Sequence, residues 1–368
     1  MTRLILTILV MGGVAFFSSR QNTKQINIFD VVLIVIYSLF VGLRTSYNDT
    51  AAYIRSFLSA DPLSIFVQDA DNMSYFHNPL FYAINAKVHE YTNNYHIFFM
   101  TFAVIDAILL IRFLKKYSIG NYAYTIILFW GFGLGMFGAA AMKQITAMAI
   151  LTLSFDAIVD KKWLRFVLIV LFASLIHTYA LLFIVLPFFT SHPWNWRTLL
   201  VIGLTGVILL TFISTISSLL DYADAAGKSV ADFEVFDGVQ MNVFRVAVFG
   251  ICPISLLLFS KLIFAEKTTN ERNVYLLCNM SIIAFMFVLM GSVNGANMFG
   301  RLATYFVLGD ICLLGWVLKQ IFEERSYHIL LAFSVALFFI FIVYDNRSID
   351  AYGGYACISF WEFLSGII

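Results

Sequence analysis

A cluster of charged side chains follows the second apolar run of the chain. The stretch GLRTSYNDTAAYIRSF, residues 42–57, places Arg44, Asp49 and Arg55 directly after IFDVVLIVIYSLFV, an apolar run of about one membrane crossing. Guanidinium groups bind phosphate oxygens in a bidentate fork, so arginine at the end of a membrane helix is suited to holding a diphosphate. Snorkelling to lipid headgroups, or pairing with Asp49 and a later acidic loop, is the structural alternative.

A histidine interrupts one of the long apolar segments. His177 lies in the middle of WLRFVLIVLFASLIHTYALLFIVLPFF, residues 163–189, which is long for one helix and short for two. A partly buried imidazole is suited to proton transfer near neutral pH, and the break of the span at this point, with the small polar residues Ser174 and Thr178 beside it, favours a catalytic role. The alternative is a packing histidine whose hydrogen bonds are satisfied in the core.

The composition is that of a membrane protein. Of the 368 residues, 61% are hydrophobic and 12% are charged, and the mean hydropathy is +0.86. In soluble domains about a quarter of the residues are charged. The net charge of +1 offers no field that would attract nucleic acid, so no nucleic-acid partner is predicted. The cysteines and acidic residues show no metal-ligand spacing, and we predict no metal and no other cofactor.

The apolar windows predict an all-α fold, a polytopic helical bundle that forms a single integral membrane domain over residues 1–368 with about 11–12 membrane segments. The predicted segments are residues 4–19, 28–43, 95–113, 122–139, 143–159, 163–190, 198–220, 242–264, 273–292, 302–321 and 328–344. A re-entrant or broken helix is predicted around His177.

Two loops on one side of the membrane stand out. The long outer loop 44–94 contains an Asn-Pro helix start and apolar residues at helical spacing, which predict a surface helix over 75–91. Aromatic residues of this loop, such as Phe81 and Tyr82, could stack on sugar rings or act as interfacial anchors. The second loop, residues 221–240, is acidic.

The distribution of lysine and arginine orients the bundle. If residues 163–190 form a hairpin that returns to the cytoplasm, about 14 basic residues fall inside and about 9 outside, whereas a single crossing gives about 12 and 11. The positive-inside rule therefore favours the hairpin and places the tip with His177 at the outer face. The same topology places there the basic residues Arg44, Arg55, Lys143, Arg245 and Arg301. Several cations at one depth suggest a shared anionic ligand.

Four local patterns occur in order along the chain. They are Arg44, Asp49 and Tyr53 in an R-x4-D-x3-Y arrangement, Lys143 and Gln144 in MKQITAMAI, His177 in ASLIHTYALL, and Arg301 followed by Tyr305 in GRLATYF. Together they resemble the EpsG family of exopolysaccharide and O-antigen polymerases, the Wzy-like proteins, over roughly residues 30–310. The chain departs from the family at Tyr47, where glycine is common, and at Lys143, which replaces an arginine and loses its fork.

The resemblance implies a membrane-embedded glycosyltransferase of the bacterial cytoplasmic (inner) membrane, with its active site facing the periplasm or exterior. Such an enzyme takes a glycan from undecaprenyl diphosphate and joins it to the sugar of another lipid-linked repeat unit. Expected partners are these repeat units, membrane lipids and a chain-length regulator protein. For this reaction we expect Arg44, Lys143, Arg301 and Arg245 to bind the diphosphate, His177 or Asp49 to serve as base in catalysis together with Arg301, and Gln144, Tyr53 and Tyr305 to orient substrate.

Other functions remain open on the sequence. A flippase for lipid-linked oligosaccharides, or another transporter, would give Asp106 and Asp310 in the middle of apolar runs a role in an ion path; hydrogen bonds between helices are the structural alternative. A membrane acyltransferase would use His177 on a surface polysaccharide. A ligase that moves finished glycan to another lipid would share the polymerase chemistry.

Overall fold

The computed structural model describes residues 2–21, 24–64, 78–196, 198–200, 203–204, 238–265, 271–345 and 354–366. Most of the predicted segment 198–220 and of the acidic loop 221–240 lies outside the described residues, as do the first residues of the predicted surface helix.

Helices make up about 79% of the structure, and two short strands pair with each other. In chain order the helices are α1 Thr2–Ser19, α2 Ile28–Gly42, α3 Thr50–Leu58, α4 Pro79–Tyr91, α5 Tyr95–Tyr117, α6 Tyr122–Gly131, α7 Leu134–Ala140, α8 Met142–Leu151, α9 Ser154–Val159, α10 Trp163–Ser174, the 3₁₀ helix Thr178–Phe189, α11 Val243–Leu258, α12 Ser260–Ile263, α13 Glu271–Val293, α14 Ala296–Thr304, α15 Leu308–Ile321, α16 Glu324–Asp345 and α17 Phe360–Ser365. The strands are β1 Arg44–Ser46 and β2 Ala356–Cys357.

The described helices confirm the all-α membrane fold. Five segments are long and apolar enough to cross a membrane, namely α1, α5, α8 with α9, α13 and α16. Two bent pairs, α6 with α7 at 44° and α14 with α15 at 68°, raise that number to seven, and α2, α10, the 3₁₀ helix and α11 are shorter apolar helices. Each predicted segment other than 198–220 overlaps one of these helices or two consecutive ones, and residues 163–190 correspond to α10 and the 3₁₀ helix.

The predicted break around His177 is present, and the chain reverses there. α10 ends at Ser174, and the 3₁₀ helix starts after His177, which lies close to Lys143 at the beginning of α8. The 3₁₀ helix then returns along the same span, because Phe183 packs against Phe155 in α9 with ring centroids 6.3 Å apart. Residues 163–190 therefore form a hairpin.

One end of the bundle, called the β1 face below, carries β1, α3 and α4. Residues 44–94 thus contain regular structure, and a helix is observed within the predicted range 75–91 as α4, which begins at Pro79 after Asn78 in a left-handed conformation, φ 61°. Its contact with a membrane surface stays a prediction. β1 pairs antiparallel with β2, so the end of the chain returns to the same face. Neither the apolar windows nor the four sequence patterns predict an element in this C-terminal segment.

The opposite end of the bundle, called the Lys115 face, is closed by a buried ion pair. The Nζ of Lys115 lies 3.5 Å from Oδ2 of Asp30 and also donates to the backbone oxygen and the Oγ of Ser18, at 3.1 and 2.5 Å. The Oγ of Ser18 donates in turn to Oδ1 of Asp30. Asp30 also completes the capping box with which Asn27 starts α2, so this cluster fixes α1, α2 and α5 together.

Candidate active site

Arg44 is completely buried, with 0% of its surface exposed, and it lies at the carbonyl end of α2. Its Nη1 donates to the oxygen of Val41 at 2.6 Å and its Nε to Oγ1 of Thr50 at 3.2 Å. The guanidinium lies over the ring of Phe99, 3.9 Å from the centroid, with Met142 Sδ 3.7 Å from Nη2. Burial lowers the pKa of Arg44 to about 10, so the group stays charged at neutral pH. This cation therefore caps α2 and joins it to α3 and α8.

Lys143 lies in the first turn of α8 and is covered by aromatic side chains of α4. Its Nζ donates to the hydroxyl of Tyr82 at 3.0 Å and lies 4.7 Å and 5.1 Å from the ring centroids of Tyr82 and Phe81. Within the part of the chain that the structure describes, no carboxylate lies at ion-pair distance from Lys143. The ammonium group is thus held by a phenol and two ring faces rather than by an acid.

Gln144 connects α8 to α14. Its side chain is 2% exposed, and its Nε2 donates to the backbone oxygen of Arg301 at 2.6 Å, while its Oε1 is buried without a hydrogen-bond partner among the described residues. Arg301 lies in the last turn of α14, just before the bend into α15, and its side chain is exposed. In this arrangement Gln144 fixes the backbone that carries Arg301.

His177 is held at the hairpin turn by a second aromatic residue. Its Nδ1 lies 2.8 Å from the hydroxyl of Tyr305, which is 1% exposed, and its ring meets that of Tyr179 edge-on. Because Nδ1 is engaged, Nε2 is the ring nitrogen that remains for other chemistry. The charges of Lys143 and Arg301 are both close enough to act on the imidazole ring.

The start of α4 is attached to the same hairpin turn. The backbone N–H of Thr178 donates to Oδ1 of Asn78 at 3.2 Å, and the N–H of Leu80 donates to the oxygen of Leu175 at 3.0 Å. The aromatic cover of Lys143 and the turn that carries His177 therefore form one unit.

Tyr53 brings α3 close to the charged residues of this region. Its phenol lies near the backbone N–H of Lys143 in the first turn of α8, and its ring packs against Phe81 of α4 with centroids 6.0 Å apart. Desolvation raises the pKa of this phenol, the nearby carboxylate of Asp49 raises it further, and the charges of Arg44 and Arg301 lower it. Tyr53 therefore lies within electrostatic range of all three ionised groups. Asp49 itself is exposed at the start of α3.

Arg245 lies in α11 behind the end of α14. Its Nη1 is 4.0 Å from the position that a Cβ on Gly300 would occupy and 4.0 Å from Sδ of Met241. Its guanidinium is thus next to the backbone that carries Arg301.

A comparison with known protein families matches residues 27–359 of the chain to the EpsG family. The chain belongs to the EpsG family. The EpsG family points to a multi-pass membrane protein of the polysaccharide-polymerase type, which is glycosyltransferase-like. Neither the search of curated proteins nor that of solved structures finds a match. The matched region extends beyond the four sequence patterns and includes β2, the strand that pairs with β1.

The structure of this EpsG-family chain gathers most of the predicted site residues at the β1 face. Seven of them contact one another directly, through one intervening residue, or by electrostatic interaction: Arg44, Tyr53, Lys143, Gln144, His177, Arg301 and Tyr305. Asp49 lies at the exposed rim of this group, and Arg245 lies behind Gly300. The roles of all these residues stay predictions. The two arginines differ in exposure, because the side chain of Arg301 is exposed and that of Arg44 is completely buried.

Two aromatic residues of the 44–94 segment, predicted to stack on sugars or to anchor the loop at the interface, lie beside the site. Phe81 and Tyr82 cover Lys143, and the helical spacing of the segment was the signal that could have placed them there. Asp310, one of the two intramembrane aspartates, accepts a hydrogen bond from Ser281 at 2.5 Å and so joins α15 to α13, as in the structural alternative. Asp106 is fully buried in α5.

Proposed function

We propose that the chain is a polysaccharide polymerase that transfers a glycan from undecaprenyl diphosphate to the sugar of another lipid-linked repeat unit. The observation that carries this proposal is that Lys143 and Arg301 lie within electrostatic range of His177, which Tyr305 holds while Gln144 holds the backbone of Arg301, with no carboxylate of the described residues at ion-pair distance from either cation. Membership of the EpsG family supports the reaction class.

The leaving group of this reaction is a lipid diphosphate. As the bond between the anomeric carbon and the phosphate oxygen breaks, negative charge develops on that oxygen, and positive charge held in place beforehand stabilises it. Arg301 would bind the phosphates through its fork and Lys143 as a point charge. Lys143 would exchange its phenol partner for a phosphate oxygen. Arg245, next to Gly300, would add positive charge behind this pair.

The acceptor sugar loses a hydroxyl proton as the new glycosidic bond forms. The Nε2 of His177 would take that proton, because Nδ1 is engaged with Tyr305 and the ring is thereby oriented. In this tautomer Nδ1 carries the hydrogen and donates to the phenol oxygen of Tyr305. Asp49 at the rim is the alternative base.

The buried members of the group would act by holding the others. Arg44 connects the end of α2 to Thr50 in α3 and so supports Tyr53, which in turn meets the first turn of α8. Gln144 holds the backbone of Arg301. The distribution of basic residues supports the periplasm or exterior as the location of the β1 face, on the outside of the cytoplasmic membrane.

The proposal is tested with purified protein in lipid vesicles that contain a synthetic undecaprenyl-diphosphate-linked repeat unit. We expect a ladder of chain lengths on a gel, and we expect His177→Ala to abolish it while Asp49→Asn retains it. A protein that binds the substrate and leaves it unchanged contradicts the proposal. Transport of the substrate across the vesicle without a ladder would identify a flippase, and a requirement for an acyl donor would identify an acyltransferase.

A further inference from the structure

The last turn of α2 carries backbone carbonyl groups that the helix itself cannot satisfy. In this chain their partners come from three separate parts of the molecule. Nη1 of Arg44 donates to Val41, Nδ1 of His96 pairs with Gly42 at 3.2 Å, and the hydroxyl of Tyr355 donates to Phe40. The end of α2 is therefore fixed by its own arginine, by α5 and by the C-terminal segment.

The C-terminal segment makes further contacts with the same region. The ring of Tyr355 stacks on that of Phe40, with centroids 4.4 Å apart and an angle of 6° between the planes. Ser46 of β1 donates from its Oγ to the oxygen of Gly354 at 2.7 Å, and the N–H of Ile358 donates to the oxygen of Leu43 at 3.0 Å. A pairing as short as that of β1 and β2 is not stable alone, so it depends on this stacking and capping.

We propose that Tyr355 is a positioning residue of the active site. Its contact with the end of α2 holds β1, β1 places Arg44, and Arg44 holds Thr50 in the first turn of α3, the helix that presents Tyr53 to α8. This inference rests on the proposed function, because it assigns Tyr355 a role in that reaction. Tyr355 touches no reacting group itself.

The first experiment compares Tyr355→Ala with Tyr355→Phe. Loss of the whole ring releases β2 and lets α3 shift, and small misplacements of positioned groups cost up to about 100-fold in rate. We expect Tyr355→Ala to lower kcat by about 10–100-fold with KM for the lipid-linked substrate little changed. Tyr355→Phe keeps the stack on Phe40 and should recover most of the rate. Trp361→Ala, which removes a 77% exposed ring from the same C-terminal segment, is the matched control and should behave as the wild type.

The second experiment restores the strand pairing by another bond. Ser46 and Ala356 are Cα partners across the β1–β2 pair, next to a β-bulge between Arg44 and Ser46, and Cα atoms of antiparallel partners lie about 4.5–5.5 Å apart, within the range for a disulfide. In a Cys357→Ala background, which removes the neighbouring thiol, Ser46→Cys with Ala356→Cys should restore the kcat of Tyr355→Ala when oxidised and lose it again on reduction. A disulfide that forms without restoring kcat overturns the proposal.

Amide hydrogen exchange provides a readout that requires no turnover. We expect Tyr355→Ala to accelerate exchange in residues 43–58, and Trp361→Ala to leave it unchanged. Unchanged exchange in Tyr355→Ala overturns the positioning role whatever the activity shows. If the wild-type protein makes no ladder of glycan products, the proposed function is refuted, but the exchange result still shows whether Tyr355 holds residues 43–58. Failure of the proposed function and failure of the positioning role are therefore distinguishable.

Discussion

The two ends of the helical bundle both hold positive charge, and they surround it differently. At the Lys115 face, Nζ of Lys115 has a carboxylate, a hydroxyl and a backbone oxygen as partners, and the side chain is 3% exposed. At the β1 face, Lys143 has a phenol and two aromatic faces, and Arg301 is exposed. Among the described residues neither of these two cations has an acid at ion-pair distance.

The different surroundings of the cations at the two faces indicate different roles, one structural and one in binding an anion. A buried cation that is paired with an acid and fully hydrogen-bonded serves the fold, because its charge is already compensated within the protein. Cations grouped without an acid can accept an anion from outside, and the aromatic cover of Lys143 gives it a weak partner that a phosphate can replace. Arg44 lies at the β1 face and yet resembles Lys115, since its hydrogen bonds are all made within the protein.

The largest effect should come from breaking the pair at the Lys115 face. Lys115→Met leaves Asp30 buried without its cation, and removing one partner of a buried ion pair costs about 3–5 kcal/mol. We expect the free energy of unfolding in detergent to fall by about that amount, with the polymerase rate per folded molecule unchanged. Adding Asp30→Asn should recover part of the loss. A stable Lys115→Met protein with a reduced rate would reverse the roles assigned to the two faces.

The next largest effect should come from Arg301→Ala. Removing one group that stabilises developing negative charge costs about 100–1000-fold in rate. We expect kcat to fall by that factor and the thermal unfolding midpoint to stay at the wild-type value. Arg325→Ala, which removes another exposed arginine from the first turn of α16, is the control and should keep the wild-type rate. Equal rates in Arg301→Ala and Arg325→Ala would contradict a role of Arg301 in the reaction.

A smaller effect is expected from Tyr305→Phe, which keeps the ring and removes the hydroxyl that meets His177. One hydrogen bond is worth about 0.5–1.5 kcal/mol, so we expect kcat to fall by up to about tenfold. Tyr124→Phe removes a comparable buried hydroxyl, 2.8 Å from Oγ of Ser334, and should change stability without changing the rate per folded molecule. Similar losses of rate per folded molecule in both variants would mean that the effect of Tyr305→Phe does not come from its bond to His177.

Much of the fold could be predicted because membrane helices have a strong signal in sequence. The long apolar windows located α1, α5, α13 and α16, and the count of basic residues favoured the hairpin at 163–190 that the structure contains. The order of the four patterns also indicated which residues share a face. These properties depend on residue type along the chain and require no knowledge of side-chain direction.

Side-chain direction and distant pairing could not be predicted in this way. Arg44 turns inward because the carbonyl end of its own helix needs a donor, and Gln144 turns to the backbone of Arg301. Neither direction is visible from a charge at a helix end. The strand β2 has only two residues, and its partner β1 lies near the other end of the chain. Neither the periodicity of hydrophobic residues nor the spacing of local motifs can therefore predict this pairing. Tyr355 was missed for the same reason.

The smallest effect tests how the β1 face holds its cations. Lys143→Arg installs the residue that the family pattern has at this position. A guanidinium stacks well on aromatic faces, and a cation–π contact is itself worth about 0.5–1 kcal/mol, so we expect KM for the lipid-linked substrate to change by about two- to fivefold at most, with kcat retained. Lys143→Met, which keeps the length and removes the charge, should raise KM far more. If arginine and methionine are equally damaging, the ammonium group is needed for more than its charge, and the bond to Tyr82 becomes a functional contact rather than a resting one.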